Sequence, residues 1–263
     1  MKQALVALCF LGCCFTQAAE DLSQSHNSLK VEVPRYRPVL RGFEKMDSLS
    51  YEAGWNGIPT TNMRLSLSKF DQAGESYYKV RVEISNKRVL GLVWDPRNSI
   101  EAVLLASTLE PKSYHARWEQ RHKKIETTVT FNRIEKKVHS LRIDGGNKQE
   151  IDFSSDNTYD PLSATLVALS QDLKVGDNLQ FDAFNGKERY KIGLMVEAEE
   201  EIQIGKKKLP ALKVLPSIAN LLNPTGSRNL SGTTVWVSND GEPKILKIRS
   251  KAPLGYYYSE IVE

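Results

Sequence analysis

Apolar and polar residues alternate along most of this chain with a period of two. Met63, Leu65 and Leu67 alternate with Arg64, Ser66 and Ser68, and beyond turn-forming residues 71–75, Tyr78, Val80, Val82 and Ile84 alternate with Lys79, Arg81 and Glu83. That period sets one strand face on a core and the other in water, so the two runs predict an antiparallel hairpin. A one-residue slip would reverse both faces, which pins its register. Residues 49–58 predict a strand running into a bend at Gly54, Gly57 and Pro59. Further strands are predicted at 114–121, 125–131 and 137–143, then at 179–184, 190–196, 201–204 and 209–215, and finally at 233–237, 245–249 and 257–261. Asn239-Asp240-Gly241 is the strongest hairpin-turn signal. Two apolar runs, 89–94 and 100–107, are strands buried on both faces or walls of a cavity. Residues 216–231, with Pro224 and Gly226, predict a loop, with or without a short helix, and a candidate flap.

One stretch breaks the period. Asp160 can cap a helix, Pro161 suits its first position, and Leu162, Thr165, Leu166, Leu169 and Leu173 follow helical spacing. The pattern predicts a helix over 161–173, ended by Val175-Gly176-Asp177. A lone helix between two blocks of strand gives a mainly β fold: an antiparallel curved sheet, open β-barrel or sandwich, with one principal α-helix packed on the concave face. Leucines that meet a continuous core make this helix a strut; leucines that line a gap make it a lid.

Composition sharpens the class. The chain has 263 residues, 40% hydrophobic and 26% charged, an ordinary globular balance for one β-rich domain. Lys2 followed by an apolar run over 4–15 reads as an export signal, too short to span a bilayer. Thr16-Gln17-Ala18 suits cleavage before Ala19; lipidation at Cys13, after Phe10-Leu11-Gly12, is the alternative. The expected organisation is a signal peptide at 1–18, a flexible spacer at 19–34 and a single β-rich domain at 35–263. Cys9, Cys13 and Cys14 all lie in the leader, so the cleaved chain carries no thiol catalyst and no transmembrane span. The mild net charge of +4 and the short basic runs at 121–124 and 206–208 exclude a nucleic-acid role.

No catalytic constellation stands out. His115, Glu119 and His122 share a face only on a helix, whereas their surroundings alternate as a strand. The carboxylates at 199–201 and 152–160 read as solvated charge, and Ser163 lacks a nucleophile elbow. No cofactor is expected. Trp55, Leu92, Trp94, Leu104, Leu166 and Leu169 are the candidate lining of an apolar ligand site.

Several short motifs, in order, resemble an exported bacterial family, domain of unknown function 3108. They are the strand and bend at 49–58, Leu109-Glu110-Pro111 with Tyr114, Tyr159-Asp160-Pro161-Leu162-Ser163, Val175-Gly176-Asp177, and Trp236 to Pro243 with Asp240 at its turn. The resemblance covers roughly 49–261. It implies a periplasmic or envelope-associated β-rich protein with no established activity, cofactor or catalytic residues. Tyr159, Asp160, Pro161, Leu162, Trp236, Asp240 and Pro243 are then architectural. The expected function is that of a non-enzymatic envelope protein holding a lipid or acyl chain. The alternative is a structural or interaction module for an envelope protein partner.

Overall fold

The computed structural model describes residues 26–27, 29–40, 47–87, 98–120, 123–222, 230, 232–242 and 244–262. The predicted runs at 89–94 and the loop at 223–229 lie outside them, as do Leu92, Trp94, His122 and Pro243.

Among the described residues, fifteen strands form one curved sheet. Its first wing is β1 (Ser48–Trp55), β2 (Ile58–Gln72), β3 (Glu75–Asn86), β4 (Asn98–Leu105), β5 (Pro111–Gln120), β6 (Lys123–Asn132), β7 (Lys137–Asp144) and β8 (Asn147–Ser154). After β9 (Thr158–Tyr159) and the helix α1 (Pro161–Leu169), the second wing is β10 (Asn178–Phe184), β11 (Arg189–Ile204), β12 (Lys207–Asn220), β13 (Thr233–Ser238), β14 (Ile245–Ala252) and β15 (Gly255–Val262). Each wing is a meander, and the two join where β1 pairs with β15. Every pairing is antiparallel except the short one between β9 and β10. The predicted first hairpin forms in its expected register, with Met63 opposite Ile84 and Leu65 opposite Val82.

The sheet is open, with β8 and β9 at its edges, yet only residues 155–157 connect those edges. Four Cα steps span at most roughly 14 Å, so the sheet must roll until its ends meet. They overlap. Leu179, Phe181 and Ala183 of β10 face inward, while Asp182 and Phe184, on the other face, pack beneath the first wing, with Phe184 5.0 Å from Phe153 of β8. The turn after β10 reaches β6 and β7, where Ser140 donates to the Gly186 carbonyl at 2.7 Å. Gly186 has φ +91°, and a Cβ there would lie 2.1 Å from Thr127 Cγ2. Only glycine fits this lap.

The segment before β1 covers the seam. His26 is fully buried between Phe153 and Phe184, and the Asn27 side chain accepts from Ser154 N and donates to Asp152 O. Asn27 thereby satisfies edge groups of β8 that would otherwise invite another strand. Farther on, Tyr36 Oη accepts from Gln180 N, and Val39 N donates to the Ser170 carbonyl. The flexible spacer expected over 19–34 differs from the structure: described residues from His26 onward belong to the folded unit, because His26 is buried and Asn27, Val33 and Arg35 bond to β8 and the segment that follows it.

Two further expectations change. The helix stops at Leu169 with Ser170 as its C-cap, since Ser170 Oγ bonds back to the Val167 carbonyl; Leu173 follows on coil but still packs on the core. The loop expected from 216 begins later, because β12 continues to Asn220. Pro216 is tolerated there: β13 pairs with β12 only as far as Val214, so among the described residues no ladder partner on that side needs an N–H from Pro216.

Candidate functional site

The start of α1 is fixed by its sequence. Asp160 Oδ1 accepts from Leu162 N at 2.8 Å and Ser163 N at 3.1 Å, while Ser163 Oγ donates to Oδ2. Pro161 occupies the first turn, where its missing N–H is not needed. Tyr159 is buried, edge-on to Phe181 and beneath the Arg133 guanidinium. Burial lifts the Asp160 carboxyl to about 6 against those three hydrogen bonds.

The helix divides the barrel interior unequally. Leu162 and Leu166 point to β1, β2 and β3, leaving a small apolar gap of about 30 Å³. Ala164 and Ala168, one turn apart and on one face, point to β10–β13. Their short side chains leave an apolar cavity of about 80 Å³ against residues that include Leu179, Phe181, Ile192, Val214 and Val235. Thr165 is its single polar side chain, and that hydroxyl is spent on the Pro161 carbonyl at 2.9 Å. Leu169, Leu173 and Val237 line both this cavity and an outer polar bowl shared by Gln171, Asp172, Asn239 and Glu242. An apolar space and a polar bowl therefore lie on either side of Leu169, Leu173 and Val237.

The expected lining residues separate. Leu169 lies at the cavity and Leu166 at the smaller gap. Leu104 is completely buried in packed core on β4, whose burial alternates, so the run at 100–107 is a strand with one inward face. Trp55 is 39% exposed at the β1–β2 turn and does not reach the cavity. The apolar run of strands suggested walls, whereas the cavity arises from the absence of bulk at Ala164 and Ala168. Two alanines at helical spacing were the available sequence signal.

Trp236 faces outward from β13 and is half buried, its indole N–H donating to Glu200. Asp240 accepts from Glu242 N at 3.0 Å in the connection from β13 to β14, which is longer than a two-residue hairpin turn. His115 sits on β5 beside Thr128 Oγ1 at 3.1 Å.

A rolled antiparallel sheet with a capped helix inside is thus bounded by the motifs at 49–58, 159–163 and 236–242, and the family profile for "Protein of unknown function (DUF3108)" matches residues 50–262. The chain belongs to the DUF3108 family. No curated protein matches it. This DUF3108 chain is similar to a solved beta-barrel-like protein of domain of unknown function DUF1849 from Brucella abortus, with a TM-score of 0.50, 10% identity, and coverage of 88% of this chain and 98% of that one. At that identity the likeness shows a shared fold alone. A candidate lipoprotein from Parabacteroides distasonis aligns with a TM-score of 0.36 at 9% identity, over 87% of this chain and 98% of that one. No helix among the described residues is long and apolar enough to cross a membrane.

Proposed function

We propose that this DUF3108 protein is an exported, non-catalytic envelope protein that holds one small amphiphile. The ligand's apolar end occupies the space between α1 and β10–β13, and its polar end stays in the bowl beside Gln171 and Asn239. The supporting observation is the apolar cavity that adjoins a polar bowl across Leu169, Leu173 and Val237. Its volume constrains the ligand: about 80 Å³ is well below the ~300–1,000 Å³ of ordinary small-molecule pockets. A short apolar end fits directly. A longer chain requires Leu173, on coil beyond the helix, to swing aside. The apolar leader at 4–15 supports export, through cleavage before Ala19 or lipidation at Cys13.

Native mass spectrometry of protein isolated from its own envelope tests this reading. A copurifying small amphiphile at one per chain is the expected result; ligand-free protein that also excludes apolar dyes would sink it. The well-filled interior favours a second reading, an interaction module in which α1 is only a strut. In-cell crosslinking to one stable envelope partner, with no copurifying lipid, would favour that alternative.

A further inference from the structure

Two neighbouring turns at one end of the barrel carry an exposed apolar cluster that the packed core does not use. Trp55 and Ile58 face each other across the β1–β2 turn, 39% and 53% exposed, and Leu254 at the β14–β15 turn is 78% exposed. Tyr257 lies opposite Trp55 across the β1–β15 pair. Asn56 locks the turns together: its backbone N donates to the Tyr256 carbonyl at 2.9 Å, and its Oδ1 accepts from Tyr256 N at 2.9 Å. Gly255, at φ +104°, permits that contact, because a Cβ there would sit 1.9 Å from Asn56 Oδ1. The turns that carry the cluster are tied together, and it stays exposed among the described residues.

Its charge is one-sided. Residues 53–61 and 248–259 contain no acid, whereas Arg249 and Lys251 are both exposed, on the other face of β14 from Ser250, which pairs with Tyr257, so they border the tip from the far side of the sheet. Arg249 lies 4.0 Å over the Tyr256 ring, and neither cation pairs with a carboxylate among the described residues. The next carboxylates down the strands, Glu52 and Glu260, are already paired with Lys87 and Lys247. Tryptophan and tyrosine favour the boundary between water and hydrocarbon, and Lys or Arg beside it favour anionic headgroups.

From this juxtaposition we propose that the tip formed by Trp55, Ile58, Leu254 and Tyr257, flanked by Arg249 and Lys251, docks onto an anionic phospholipid bilayer. The aliphatic and aromatic side chains enter the headgroup boundary while the two cations stay at the phosphates. This surface shares no residue with the α1 cavity, so either proposal can fail without the other.

The test uses tryptophan quenching by brominated phospholipid in vesicles of phosphatidylcholine with or without phosphatidylglycerol. Parent, W55F, L254S and R249Q/K251Q chains all carry the same N-terminus, and near-UV circular dichroism checks that each variant is folded. The chain holds four tryptophans, so the difference in quenching between parent and W55F is what reports on Trp55, and an anchor elsewhere in the chain does not mimic it. On anionic vesicles the parent should lose fluorescence that W55F does not. In variants without an acyl anchor, R249Q/K251Q should bind roughly 30-fold more weakly, with neutral vesicles binding poorly throughout. Equal quenching in parent and W55F would overturn the proposal. So would binding unchanged in both folded L254S and R249Q/K251Q, or a concentration-dependent dimer abolished by L254S without any vesicle binding, which would make the tip's partner a second copy.

Discussion

Arg189 grips Asp182 in two parallel hydrogen bonds, 2.9 Å from Nε to Oδ1 and 2.6 Å from Nη2 to Oδ2, with both side chains almost wholly buried. Thr158 Oγ1 donates to the same carboxylate at 2.6 Å, and the guanidinium lies 4.6 Å over the Phe153 ring. The pair therefore sits where β9 and β10 slide beneath β8. Removing one partner strands a buried charge, so Asp182→Ala is expected to cost about 3–5 kcal/mol in urea unfolding. The double variant D182L/R189M should be less damaging than Asp182→Ala, because it leaves no unpaired charge.

The lap also predicts a strict requirement at its tightest point. Gly186→Ala combines a left-handed backbone with overlap onto Thr127 Cγ2, for an expected loss of about 2–4 kcal/mol. Adding Thr127→Ser removes the obstructing methyl and should recover part of that loss in the same measurement.

Acid stability depends on two buried groups with opposite slopes. Asp160 is raised to about 6 by burial, so between about pH 4 and 6 the fold keeps a proton the unfolded chain has released, and its contribution falls as pH rises. His26 is lowered to about 4 by burial and then by the charge of Arg189, so the unfolded chain binds a proton the fold refuses; its contribution is lost as pH falls from 6.5 towards 4. Each is worth about 3 kcal/mol at most, and they largely cancel in the parent. Urea midpoints between pH 4 and 6.5 should separate them. Asp160→Asn should become less stable on acidification, whereas His26→Phe should become more stable.

The helix face offers a fourth check. Leu166 is 2% exposed, so Leu166→Ala should cost about 2–5 kcal/mol. Ala168→Leu, which adds bulk where the cavity is, should leave stability unchanged or raised while abolishing ligand uptake. Thermal unfolding and ligand titration read the two effects separately.

What the sequence makes legible is local. Alternation at Met63–Leu67 and Tyr78–Ile84 determines a register because one face must be buried, and Asp160-Pro161 announces the helix start through groups within three residues. The helix end is not legible, because Leu173 keeps helical spacing while lying on coil. The lap of β10 under β8 depends on groups far apart in sequence, such as Asn27 with Ser154 and Gly186 with Ser140. His26 lies in a polar stretch without period, so nothing nearby marks its burial. Apolar runs suggest cavity walls, but two alanines of ordinary composition create the space.

Methyl NMR of Ala164, Ala168, Leu169 and Leu173 during titration with hexanoate, whose short apolar end suits the cavity, tests the amphiphile site most directly. The account predicts saturable shifts confined to these methyls and their β10–β13 neighbours, lost in Ala168→Leu. Unmoved cavity methyls, or shifts that persist undiminished in Ala168→Leu, would contradict it.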